Sequence, residues 1–99
     1  MPGYQIDWLP GASQDMLRLR QFLEKENQSV VKKASQRILS AVNLLITSPE
    51  VGMPSPDEDC EAFRDLYVPF GRGGYTIRYR LTQQTILIVR VWHSREQRV

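Results

Sequence analysis

His93 is the only histidine in the chain, set between Trp92 and the pair Ser94-Arg95. An imidazole moves protons near neutral pH, but a proton relay or a histidine metal site needs partners, and no second imidazole is present. Its simpler role is a strand-end side chain bonded to a neighbouring loop. The one cysteine, Cys60, excludes an internal disulfide and a site built from several thiolates. None of the serines lies in the strand–turn–helix setting of a nucleophile elbow. Asp57, Glu58, Asp59 and Glu61 crowd a proline-containing stretch, where a solvated acidic loop explains them more simply than an acid–base pair. Gly71-Arg72-Gly73-Gly74 has the composition of a phosphate cradle, yet it joins two strand-like segments instead of opening a helix. A hairpin turn requiring positive φ accounts for those glycines. No metal and no organic cofactor is expected.

What remains is charge. The 99 residues carry 13 Lys and Arg against 11 Asp and Glu, a net +2, and the distribution is lopsided. The stretch ending at Asp65 is −3. From Leu66 onward Arg72, Arg78, Arg80, Arg90, Arg95 and Arg98 face only Glu96, leaving +5. Arginine suits bidentate contact with phosphate or carboxylate, so a basic C-terminal third points to a polyanion or an acidic protein partner. Some of these arginines also read as ordinary solvated strand residues.

The elements that must position these groups follow from periodicity. At 41% apolar and 24% charged, the chain reads as one globular domain, residues 1–99. No apolar run approaches the roughly 18 residues of a membrane span and no signal peptide opens the chain, so a cytoplasmic protein is expected. Tyr4, Ile6 and Trp8 alternate as one face of a strand. Ala12, Met16, Leu19 and Leu23, widened by Phe22, recur as the stripe of a helix from Ala12 to about Glu26, with Ser13 or a neighbour as cap and Asp15 near its positive end. A second helix from about Val30 to Thr47 carries Val31, Ala34, Ile38, Ala41, Val42 and Leu45, and Pro49 stops it. Val51 to Cys60 reads as an exposed acidic loop. Three strands complete the chain: Phe63–Val68, Tyr75–Leu81 and Thr85–Trp92.

The expected fold is α+β, in the order β-α-α-β-β-β, with an N-terminal helical hairpin packed on one face of a four-stranded, mainly antiparallel sheet. The first strand pairs with a later one, in parallel if the hairpin serves as crossover. Two helices cover one face. The other, carrying Thr76, Arg78 and Arg80 with part of the apolar last strand, is expected to stay open as a partner surface edged with arginine.

Three passages together resemble the RelE/ParE toxins of bacterial toxin–antitoxin modules: Phe63-Arg64-Asp65-Leu66-Tyr67-Val68-Pro69-Phe70-Gly71, Gly74-Tyr75-Thr76-Ile77-Arg78-Tyr79-Arg80, and Ile86 to Glu96 ending Val91-Trp92-His93-Ser94-Arg95-Glu96. The likeness extends over nearly the whole chain and is strongest to the ParE branch, the plasmid stabilisation toxins. It implies a cytoplasmic toxin without cofactor that inhibits DNA gyrase by binding and is held by a cognate antitoxin in a hetero-oligomer, with no membrane partner. The target-facing residues would be Arg78, Arg80, His93, Arg95 and Arg98. The antitoxin would contact Met16, Leu19, Arg20, Leu23, Arg37, Arg64 and Arg72.

The RelE branch offers the alternative, ribosome-dependent cleavage of mRNA, with Arg64, Arg78 and His93 as the catalytic candidates. Metal-free RNA cleavage needs a base, an acid and cations for the developing phosphorane charge. Where RelE-like enzymes place lysines this chain has Asp65 and Tyr67, and Thr76 stands where they place an arginine. Losing one such donor weakens transition-state stabilisation by about 2.7–4 kcal/mol. That balance favours a stoichiometric inhibitor over an enzyme.

Overall fold

The computed structural model describes residues 4–25, 27–56 and 62–96. Its elements are β1 (Gln5–Trp8), α1 (Pro10–Glu24), α2 (Gln28–Thr47), β2 (Met53–Pro54), β3 (Phe63–Phe70), β4 (Gly73–Leu81) and β5 (Thr85–His93). One sheet holds all the strands in the order β1-β5-β4-β3-β2. β1 runs parallel to β5, with Trp8 opposite Ile88, and the remaining pairs are antiparallel.

The expected four strands become five. Met53–Pro54, assigned from sequence to the acidic loop, pairs with Asp65 and Arg64. Arg64 draws this segment in, because its Nη1 donates to the carbonyls of Glu50 and Gly52 at 3.2 and 2.8 Å. Asp57, Glu58, Asp59, Cys60 and Glu61 lie outside the described residues.

Helix α1 starts at Pro10, two residues before Ala12. Proline suits the first turn, where its missing N–H leaves nothing unpaired. The cap position is Leu9 and makes no side-chain cap bond, so neither Ser13 nor a neighbour caps the helix. Asn27 does cap α2, its Oδ1 accepting the Ser29 N–H at 2.7 Å. Pro49 follows soon after the end of α2 at Thr47, as the sequence implies.

Ala12, Leu19, Ala34, Ile38, Val42 and Leu45 from the helices meet Val68, Tyr75, Ile77, Tyr79, Ile86, Ile88 and Val91 from the sheet. Each fully buried Leu, Ile or Val side chain there contributes roughly 1.5–3 kcal/mol. Phe22 does not widen the buried stripe; it is 57% exposed. Tyr79 ties this layer to the end of α2, donating to the Pro49 carbonyl at 2.8 Å and accepting the Gly52 N–H at 2.9 Å. A Cβ on Gly52 would lie 2.6 Å from that hydroxyl, so a larger residue would push the ring away.

The two central strands slip by one residue. Arg78 faces Arg90, but Tyr79 faces Ile88, which leaves Val89 as the extra residue of a bulge. The bulge resets the alternation: Ile86 and Ile88 are buried against the helices, and the next buried residue is Val91. The turn between β3 and β4 is only Gly71-Arg72, tighter than the Pro69–Gly74 span read from sequence. Gly71 has φ 61°, a conformation most side chains disfavour.

Candidate functional site

Three surfaces carry the residues singled out above. The first is a groove of about 480 Å³ between the helices, lined by Trp8, Ser13, Met16, Leu17, Arg20, Ser35 and Leu39. Leu17 and Leu39 are 60% and 49% exposed. Met16 and Arg20, expected at the antitoxin contact, do line this groove. Leu19 does not; it is 3% exposed and turned into the core, because it sits on the helix arc that meets the sheet. Leu23 packs partly buried against the core. Leu17 and Leu39, not among the residues singled out from sequence, also line the groove, and their signal is that of apolar residues falling off the arc their helix buries.

Arg37 and Arg64 are engaged within the fold. Arg37 donates from Nη1 to the Pro69 carbonyl at 3.0 Å and lies 5.9 Å from the Phe70 ring centroid. Arg64 braces the 50–52 segment, as described above. Arg72 is exposed in the hairpin turn.

The second surface is the sheet face away from the helices. Residues paired across an antiparallel ladder project to the same side, so the register places Phe63, Asp65 and Tyr67 there with Arg80, Arg78 and Thr76. Trp92 and Leu87 join them from β5. Arg80 is exposed. Arg78 is buried, because Asp65 receives its Nε at 2.8 Å and its Nη2 at 3.0 Å, and its guanidinium lies 5.0 Å from the Trp92 ring centroid. A cation clamped in this way is partly neutralised before any ligand arrives.

The nuclease candidates are not brought together. Arg64 faces Tyr79 and His93 faces Tyr75 in the register, so both project to the helix-covered side while Arg78 projects to the other. His93 stacks edge-on against Tyr75 with ring centroids 5.0 Å apart, and its Nδ1 accepts the Arg95 N–H at 3.1 Å. His93 therefore does not share a face with Arg78 and Arg80. Arg95 is exposed, and Arg98 lies outside the described residues.

The third surface is the outer edge of β5, and sequence patterning gave no sign of it. β1 pairs only as far as Ile88, and among the described residues no other strand covers the rest of that edge. α1 supplies the missing partners from side chains. Asp15, 2% exposed, accepts the Val91 N–H at 2.8 Å, and Arg18 donates from Nη2 to the Val91 carbonyl at 3.2 Å. Arg90 reaches Asp15 through Nε at 2.7 Å and Nη2 at 3.1 Å, and Arg18 Nη1 bonds it as well. Burial alone would raise the Asp15 carboxyl, but the bonds from Arg90, Val91 and Arg18 outweigh it and hold Asp15 below its ordinary value. Among the described residues no group of His, Cys, Asp and Glu is placed to hold a metal ion, and no helix is long and apolar enough to cross a membrane.

The layered arrangement is that of the RelE/ParE toxins. In the solved chromosomal ParDE toxin–antitoxin system of P. aeruginosa, one chain superposes with a TM-score of 0.72 at 20% identity, over 91% of this chain and 95% of that one. A chain of the RelBE2 toxin–antitoxin complex from Mycobacterium tuberculosis gives 0.60 at 20% identity, over 92% and 98%. In sequence, Toxin RelE3 of Caulobacter vibrioides is 33% identical over 89 residues, covering 90% of this chain and 92% of that protein. The family model described as ParE toxin of type II toxin-antitoxin system, parDE, matches residues 6–98. The chain belongs to the ParE toxin family, and is a toxin of a type II toxin–antitoxin system.

Proposed function

We propose that this toxin acts by binding DNA gyrase and that a cognate antitoxin neutralises it by covering the helical groove. The observation that carries the reading is the bidentate Asp65–Arg78 pair on the open face, with Arg64 and His93 on the opposite side of the sheet. Cleavage of RNA needs a proton acceptor, a proton donor and a phosphate-binding cation around one scissile bond. A binding surface needs no such convergence. Exposed Arg80 and Arg95 remain as target contacts, with Arg98 three residues beyond Arg95 in sequence. On the other side, Met16, Leu17, Arg20 and Leu39 offer an apolar floor with a basic flank, suited to an acidic amphipathic segment that orders as it binds. The toxin–antitoxin complexes among the structural relatives support that partner.

One finding favours the second reading. The 33% identity to Toxin RelE3 keeps ribosome-dependent mRNA cleavage in play, with Arg64, Arg78 and His93 as its candidate residues. Supercoiling by purified gyrase, titrated with the toxin, decides between them. Inhibition at near-equimolar toxin, relieved at least tenfold by Arg95→Ala with Arg98→Ala, is expected. Undiminished supercoiling at large molar excess, together with discrete toxin-dependent cuts in mRNA on translating ribosomes, would establish the alternative.

A further inference from the structure

We propose that Arg18 and Glu96 form a latch that positions the turn after β5, and with it Arg95, for engagement of the target. The functional half of this proposal rests on the toxin reading above; the structural half does not. The turn is held from two sides. On the inner side β4 grips it, the Ser94 N–H donating to the Gly74 carbonyl at 2.9 Å and the Gly74 N–H to Ser94 Oγ at 3.2 Å.

On the outer side α1 grips it through a single carboxylate. Glu96 receives Arg18 Nε at 2.9 Å and Nη2 at 3.3 Å, and its Oε1 also accepts the His93 N–H at 2.7 Å. The Glu96 N–H closes the turn on the His93 carbonyl at 3.0 Å, and the Arg95 N–H bonds His93 Nδ1 at 3.1 Å. Arg95 thus sits between His93 and Glu96, which are bonded to each other through both the Glu96 backbone and its carboxylate.

Arg18 is suited to this task because it is itself fixed. Asp15 and the Val91 carbonyl hold the far end of its guanidinium, so the fork is aimed before it meets Glu96. A surface ion pair is ordinarily weak because two long side chains must be ordered to make it. Here one of the two is ordered already. The latch also lies on the helix that carries Met16, Leu17 and Arg20, so the groove wall and the turn share one rigid support.

The test uses the full chain, with Arg18→Gln, Glu96→Gln and the double substitution. Hydrogen exchange should quicken about tenfold at the amides of His93, Arg95 and Glu96 in either single variant. The amides of Ile77 and Ile88 should be unchanged, which certifies the fold. Each single variant should need several-fold more inducer to arrest growth, and the double variant should be no worse than either one. Arg18→Lys should recover part of the potency. Unchanged exchange at the turn overturns the latch, and a loosened turn with full potency overturns its positioning role. Since growth arrest reports toxicity whatever the target, a wild-type chain that arrests growth without inhibiting gyrase would sink the gyrase reading while this comparison still judges the latch.

Discussion

Two carboxylates, Asp15 and Asp65, each hold an arginine of the central strands, yet they do different work. Asp15 reaches β5 from a helix, 76 residues away in sequence, and serves a backbone N–H as well as two guanidinium groups. Asp65 lies directly across the ladder from Arg78 and serves that side chain. The first substitutes for a missing strand. The second trims the charge of a face that neither α1 nor α2 covers. Proximity to arginine therefore says little by itself; what else the carboxylate must satisfy decides whether it belongs to the fold or to the surface.

The strongest way to break this contrast is Asp15→Asn. An amide keeps the size but gives up the charge, and it must offer N–H groups where acceptors are needed. Weakened charge-assisted bonds and a poorly paired Val91 N–H should cost about 2–3 kcal/mol in chemical denaturation. The pH dependence follows the same logic. The folded Asp15 carboxyl lies below its ordinary 3.8, so the unfolded chain takes up a proton first as pH falls. The stability Asp15 contributes is then whole well above 3.8, declines below it, and is gone once pH passes beneath the folded value. Asp15→Asn should flatten that acid limb. Parallel acid limbs for the variant and the wild type would show that Asp15 is not the group responsible.

Asp65→Asn should do less to the fold and more to the surface. Asn can still accept from Arg78, and Trp92 still lies against the guanidinium, so a cost of about 1 kcal/mol is expected. The open face, however, becomes one charge more positive. Affinity for a single-stranded RNA oligonucleotide should rise, and its dependence on log salt should steepen by about 0.7, the share of one phosphate contact. A loss of stability equal to that of Asp15→Asn would erase the distinction between the two carboxylates.

Much of the fold could be read in advance, and the reasons are particular. Ile6, Ala34, Ile38, Ile77 and Tyr79 fall on periods that only one element type accommodates, so the strands, the hairpin and the shared core face followed. What escaped was set by contacts between distant residues. Met53–Pro54 looked like loop because a two-residue edge strand has no period to display; Arg64 and β3 make it a strand. Asp15 looks from sequence like a charge beside a helix dipole because nothing local reveals that β1 pairs with β5 only as far as Ile88 and leaves Val91 to be satisfied. Grouping His93 with Arg78 failed for a different reason. That grouping comes from the family resemblance, which carries no strand phase; the bulge at Val89 shifts the phase of β5, and His93 finishes on the side of Tyr75.

Arg80 should give the smallest effect and the sharpest control. It shares the open face with Arg78 and stands two residues further along the same strand, opposite Phe63 and Leu87. Being exposed, it keeps most of its hydration, and salt screens its field within about 8 Å at physiological ionic strength. Arg80→Ala should therefore leave denaturation midpoints within about 0.5 kcal/mol of the wild type. If this face meets the target, the same variant should weaken inhibition two- to threefold at low salt and less at high salt, the mark of a charge that guides encounter without being desolvated. Arg78 cannot report in this way, since any change there also disturbs Asp65 and Trp92. Should Arg80→Ala lower stability as much as Asp65→Asn, the open face would be part of the folding core instead of a surface laid upon it.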